Sequence, residues 1–144
     1  MGAVKRRAER LPQPVRIAVD WLRALESGDE TALVAMAHPN IGLPASVPPI
    51  KRGHDYLAEW MKTQRLRLRL DEAHLRGDDV LVLHKTTLLD EDGDVRTITD
   101  GGSIVELRDG KVSYYRRDDG SDLLRRNGFR GAEPIDLTEE NEAS

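Results

Sequence analysis

No cysteine occurs among the 144 residues, which removes disulfides, thiolate nucleophiles and cysteine-based zinc sites together. Aromatic residues are few, with one Phe, two Trp and three Tyr, so no interleaved rings offer stacking platforms for nucleic-acid bases. The formal net charge of −4 also argues against wholesale neutralisation of phosphates, and no nucleic-acid partner is expected. No apolar run reaches membrane-spanning length, and the basic start lacks the hydrophobic segment of a signal peptide. The expectation is a cytoplasmic protein without a membrane partner. The four histidines, His38, His54, His74 and His84, lie far apart, without the paired spacing of a zinc helix. Asp90-Glu91-Asp92-Gly93-Asp94 is dense in carboxylates, but its glycine is misplaced for a calcium loop, and a hairpin turn is due there instead. Neither metal nor cofactor is expected.

What is present reads as one domain, long enough to bury a single core. Residues 1–12 carry Lys5, Arg6, Arg7 and Arg10 against Glu9, while residues 131–144 carry Glu133, Asp136, Glu139, Glu140 and Glu142 without a base. Both ends read as disordered tails, one basic and one acidic, around a domain over residues 13–130. Val15, Ala18, Val19, Leu22 and Leu25 share one helical face, entered at Pro14 and left at Gly28. Asp29 suits the cap of a second helix, Glu30 to Ala37, and Pro39 forbids much continuation. A loop follows to Pro49, with a strand fragment at best at Ile41 to Leu43. Leu57, Trp60 and Met61 form a third helical face. Four strands then follow, Leu66 to Leu75, Val80 to Leu89, Val95 to Leu107 and Lys111 to Arg117, parted by Gly77-Asp78, Asp92-Gly93 and Asp109-Gly110, and a short helix is due at Asp122 to Arg126. Strands joined by hairpins are antiparallel, and the three helices must cover one face. The fold class is α+β: three N-terminal helices on a strongly curved antiparallel sheet, a cone whose interior suits an apolar ligand.

Three phrases carry a family resemblance: Trp21-Leu22-Arg23-Ala24-Leu25-Glu26-Ser27-Gly28-Asp29, Arg52-Gly53-His54-Asp55, and the hairpin from Ser103 to Val112. Through them the chain resembles the nuclear transport factor 2-like superfamily, which includes ketosteroid isomerase, limonene epoxide hydrolase and the SnoaL-like polyketide cyclases. The resemblance implies a cystatin-like α+β cone and a homodimer formed through the outer sheet face, for which Val80, Val82 and Leu88 are the expected apolar contacts. Ketosteroid isomerase places a tyrosine where Trp21 stands and carboxyl groups near Ala45 and near Gly102 or Ser103, so its logic of paired carboxyls is missing here. Limonene epoxide hydrolase places its two aspartates and bridging arginine where Lys85, Thr87 and Arg117 fall. The cyclases nominate Asp118 or Asp100 with His84.

The candidate acids and bases are therefore His84, Asp100 and Asp118. A histidine in mid-strand can serve as a base near neutral pH or as a satisfied packing residue. The candidate ligand-binding residues are Trp21, Trp60, Lys85, Thr87, Ser103, Tyr115 and Arg117. If Lys85 and Arg117 both face the cone, the expected ligand is an apolar or acidic aromatic small molecule. Two functions follow: a SnoaL-like pocket protein that binds or transforms such a ligand by proton transfer, cyclisation or epoxide opening, and a non-catalytic dimeric ligand-binding or scaffold module of the same fold.

Overall fold

The structure, a computed structural model, describes residues 11–129, 131 and 133–141. Residues 1–10, most of the expected basic tail, lie outside the described residues. Helix α1 (Gln13–Ser27) has a proline in its first turn and ends on Gly28 in the left-handed conformation, with φ 67°. Asp29 caps α2 (Glu30–Met36) by accepting from the Ala32 N–H at 3.0 Å. Strand β1 (Ala37–Pro44) then forms where only a fragment was expected, and β2 (Ile50–Arg52) turns back along it. Pro39 interrupts hydrogen bonding, consistent with the register irregularity between Ala37 and Gly42. After α3 (His54–Met61) come β3 (Leu66–Arg76), β4 (Asp79–Leu89), β5 (Val95–Arg108) and β6 (Lys111–Asp118), then a single-turn helix α4 (Leu123–Arg126). Asp109 and Gly110 both have positive φ, as a tight hairpin demands. At the other hairpin the Asp90 carboxylate accepts from the N–H groups of Asp92 and Asp94, each at 2.9 Å, so the acidic run is turn chemistry.

With a short strand β7 (Ile135–Asp136), the sheet has seven strands in the order β2-β1-β6-β5-β4-β3-β7 and remains open. It is not wholly antiparallel, because β1 runs parallel to β6. Its inner face, under α1 and α3, shows the rows Leu68–Thr86–Thr99, Leu70–His84–Gly101, Ala73–Val82–Ser103–Arg117 and Leu75–Val80–Val105–Tyr115. Val80 and Val82 are fully buried in that main core and Leu88 packs against it, so these three cannot be the outward dimer contacts expected of them. The real outer face is partly covered by the chain itself: Leu81 and Ile104 pack under Leu123 and Phe129. Among the described residues no helix is long and apolar enough to cross a membrane.

The acidic end is not a loose tail. Ile135–Asp136 forms strand β7 on Glu72 and Ala73, Leu137 is fully buried, and its N–H donates to the Asp71 carbonyl at 2.9 Å. Asp71 is the bulged residue of β3, which frees that carbonyl for an incoming strand. A 3₁₀ turn, Thr138–Asn141, follows. Arg16 pairs with Glu140 at 2.8 Å, and Arg23 donates to the Glu140 carbonyl and the Asn141 side chain. The domain therefore extends to at least residue 141. Charge counting missed it because two apolar side chains, Ile135 and Leu137, suffice to anchor the segment.

Beside β7, the free edge of β3 is occupied by side chains. Asn141 Oδ1 accepts from Leu70 N at 2.7 Å while its Nδ2 donates to Leu70 O at 2.8 Å. Glu26 Oε2 accepts from Leu68 N at 2.6 Å, and Arg23 donates to Leu68 O at 3.2 Å. One amide and one ion pair thus stand in for a neighbouring strand.

Candidate active site in the cone

Period-two alternation sends His84, Thr86, Ser103, Tyr115 and Arg117 to the inner face. They meet beneath two tryptophans: Trp21 of α1 lies 5.9 Å from the Tyr115 ring, and Trp60 of α3 meets it edge-on at 5.6 Å. A continuous polar chain runs through this apolar setting. Thr86 Oγ1 lies 3.0 Å from His84 Nδ1, His84 Nε2 lies 2.8 Å from Ser103 Oγ, and Ser103 Oγ lies 3.1 Å from the Tyr115 hydroxyl. All four residues are buried, His84 at 3% exposure.

Burial pushes the His84 pKa down to about 4, with the Arg117 charge adding to the effect. The ring is neutral at physiological pH, with one nitrogen donating and the other accepting. Burial likewise raises Tyr115, so its phenol keeps its proton. The four groups then hold four N–H or O–H hydrogens, while three hydrogen bonds link them. Whichever way the chain is polarised, one terminal hydroxyl, that of Thr86 or Tyr115, has a hydrogen with no acceptor in the chain. Nearby polar atoms are equally unspent. Trp21 Nε1, Thr99 Oγ1 and Arg117 Nε are buried without hydrogen bonds, although such groups normally find partners.

At the rim, Arg117 Nε lies 3.3 Å from Asp119 Oδ2, an ion pair without an aligned hydrogen bond. Gly101 explains how that carboxylate arrives. A methyl group there would lie 2.6 Å from Asp119 Oδ1 and 2.8 Å from the Asp118 carbonyl, so the missing side chain lets Asp119 fold over Gly101 and reach Arg117. Sequence reading missed Asp119, Thr86 and Thr99. The signal was available for the two threonines, since Thr86 shares the alternation phase of His84 and Thr99 that of Ser103, but not for Asp119, which lies beyond the strand.

Four of the expected site residues lie elsewhere. Lys85 and Thr87 belong to the opposite phase of β4 and face outward. The Lys85 side chain is 55% exposed, 3.8 Å from an Asp100 that is 87% exposed, so the pair Lys85 and Arg117 does not converge in the cone. Asp118 also points outward, to Arg126 at 3.0 Å, Arg116 at 3.6 Å and the Asn127 amide at 3.2 Å. Burial works to raise its pKa, but Asn127 and the two guanidinium groups outweigh it and lower the value overall. Among the described residues, no group of three His, Asp or Glu side chains is placed to hold a metal ion.

No family model and no curated protein matches this chain. Solved structures do. A nuclear transport factor 2-like protein of unknown function from Burkholderia pseudomallei superposes with a TM-score of 0.65 at 15% identity, over 80% of this chain and 97% of its own. A LEH-like epoxide hydrolase of M. tuberculosis gives 0.64 at 18% identity, over 83% and 91%. A candidate SnoaL-like polyketide cyclase from Jannaschia gives 0.64 at 17%, over 87% and 98%. The fold is thus nuclear transport factor 2-like, and fold alone does not assign a reaction.

Proposed function

We propose that the cone interior binds a small, largely apolar molecule through one oxygen atom, a carbonyl or a hydroxyl. The observation that carries this reading is the surplus of buried, unspent polar groups around Tyr115: a spare hydrogen on the Thr86–His84–Ser103–Tyr115 chain and the free Trp21 N–H. Unpaired buried donors cost about 1 to 3 kcal/mol each, and a ligand oxygen relieves that cost. Trp21 and Trp60, which pack on the Tyr115 ring, would supply the ligand's apolar surroundings.

A second reading, proton transfer on the bound molecule, is favoured by Asp119, the carboxylate at the rim, held by Arg117. Asp119 would accept the proton while the Tyr115 end of the chain donates to the developing oxyanion. Asp100 and Asp118 have no part in it, since both face outward. We further propose that a homodimer, if formed, uses the outer face around Ile98, which is 56% exposed.

Calorimetric titration with naphthol, and with naphthalene as the oxygen-free control, tests the binding reading. Naphthol should bind more tightly than naphthalene, and Tyr115→Phe should remove at least half of that preference. Equal binding of both compounds, or no binding of either, overturns it. Asp119→Asn separates the two readings, because it abolishes proton exchange at an acidic C–H of a bound ketone while leaving binding in place.

A further inference from the structure

The outer face carries a cleft of about 340 Å³ at the β2-β1-β6 end, away from the cone. Its walls are His38, Arg52, Glu106, Arg108 and Tyr114, with Asn40 and Ile50 at the edge. Gly42 makes the room. A methyl group there would sit 3.1 Å from Arg52 Nη1, 3.2 Å from Ile50 Cγ2 and 3.2 Å from Tyr114 Cδ1, so a guanidinium and an aromatic ring converge above a backbone without a side chain. The φ of Gly42 is not in the left-handed region, so glycine is needed here for space.

Neither arginine of this cleft is in an ion pair among the described residues, although the Glu106 side chain lines the same cleft. Arg16, Arg23, Arg76, Arg116, Arg117, Arg125 and Arg126 all have carboxylate partners within 4 Å. Arg52 donates only to the Asn40 carbonyl, at 3.3 Å, and Arg108 is in no ion pair among the described residues. The Asn40 N–H donates to His38 Nδ1 at 3.0 Å, which places the proton of the neutral ring on Nε2 as a further free donor. Glu106 is the one acid. Burial and Asp79 raise its pKa, against Arg76 and Arg116.

We propose that this cleft binds a small phosphomonoester, its phosphate held between Arg52 and Arg108 and its organic body laid on Tyr114 and Ile50. Two guanidinium groups without a carboxylate partner suit a phosphate, since each can take a phosphate edge through paired N–H donors, whereas a monocarboxylate offers only one edge. The volume suits a monocyclic body.

Phenyl phosphate, followed by calorimetry and by ³¹P line broadening, is the probe, with benzoate and inorganic phosphate as comparators. Phenyl phosphate should bind more tightly than either, the first testing charge and the second testing the ring wall. Arg52→Met and Arg108→Met should each weaken it about tenfold, in line with the loss of charge-assisted hydrogen bonds, and Gly42→Ala should weaken it by crowding Arg52 and Tyr114. Arg69→Met, on the same face but outside the cleft, should leave it within about twofold, as should Tyr115→Phe in the cone. Circular dichroism verifies that each variant is folded. Absence of binding at millimolar phenyl phosphate, equal affinity for benzoate, or equal losses in Arg69→Met and Arg52→Met overturns the proposal.

Discussion

One identifiable part of this protein's loss of stability in acid should come from His84. Its ring is buried between Thr86 and Ser103 and titrates near 4, against 6.5 for a free imidazole. Above pH 6.5 both the native and the unfolded ring are neutral, and pH changes nothing through this group. Between 6.5 and 4 the unfolded chain takes up a proton that the native ring refuses, so stability falls as pH falls. Linkage with those two values gives a loss of about 0.8 kcal/mol by pH 6, about 2 by pH 5 and about 3 by pH 4. The assay is urea denaturation of the parent and of His84→Gln at pH 7 and pH 5. Glutamine keeps a donor and an acceptor but does not titrate. Carboxylates such as Asp118, whose lowered pKa also makes acid destabilising, act alike in both proteins and cancel in the difference. The parent should lose about 2 kcal/mol more than the variant over this interval. Equal losses would refute the claim that the ring is held neutral, and with it the hydrogen count on which the binding proposal rests.

Three further outcomes follow from the packing. Deleting residues 133–144 removes the buried Leu137, the Asp71 hydrogen bond and the Arg16–Glu140 pair, and should cost about 3 kcal/mol or more, seen as a fall in thermal midpoint of roughly 10 °C; an unchanged midpoint would restore the picture of a loose tail. Asn141→Ala should cost about 2 kcal/mol in chemical denaturation by leaving both Leu70 backbone groups without their protein partner. Thr99→Val replaces an unpaired buried hydroxyl with a methyl group, and should raise stability by up to about 1 kcal/mol while weakening naphthol binding; lowered stability would mean that the hydroxyl is already satisfied.

The fold was legible because its signals are local. Pro14, Gly28 and Asp29 punctuate the helices by backbone chemistry, and Asp109-Gly110 fixes a hairpin from two residues. The site was legible only in its phase. Alternation joined His84 to one face and Lys85 to the other, but which face was inward depended on the bulge at Asp71 and the pairing of Leu66–Leu75 with Val80–Leu88, neither of which has a local mark. That is why Val80 and Val82 were expected outside and Lys85 inside. The parallel pairing of β1 with β6 and the docking of residues 135–141 are long-range contacts, invisible to any reading of neighbours. Asp119 entered the site through a glycine eighteen positions earlier, a relation only the folded chain displays.

The side-chain closure of the β3 edge also sets an order of events during synthesis. Arg23 reaches Glu140 across 117 positions, and Arg16 reaches the same residue across 124. While the chain is being made, α1 and β3 can assemble with the rest of the sheet, but Leu70 keeps an open N–H and C=O until Asn141 has cleared the ribosome. A nascent domain therefore carries an unpaired stretch of edge strand while the 71 positions from Leu70 to Asn141 are being added, and its exposure ends with the arrival of a single asparagine.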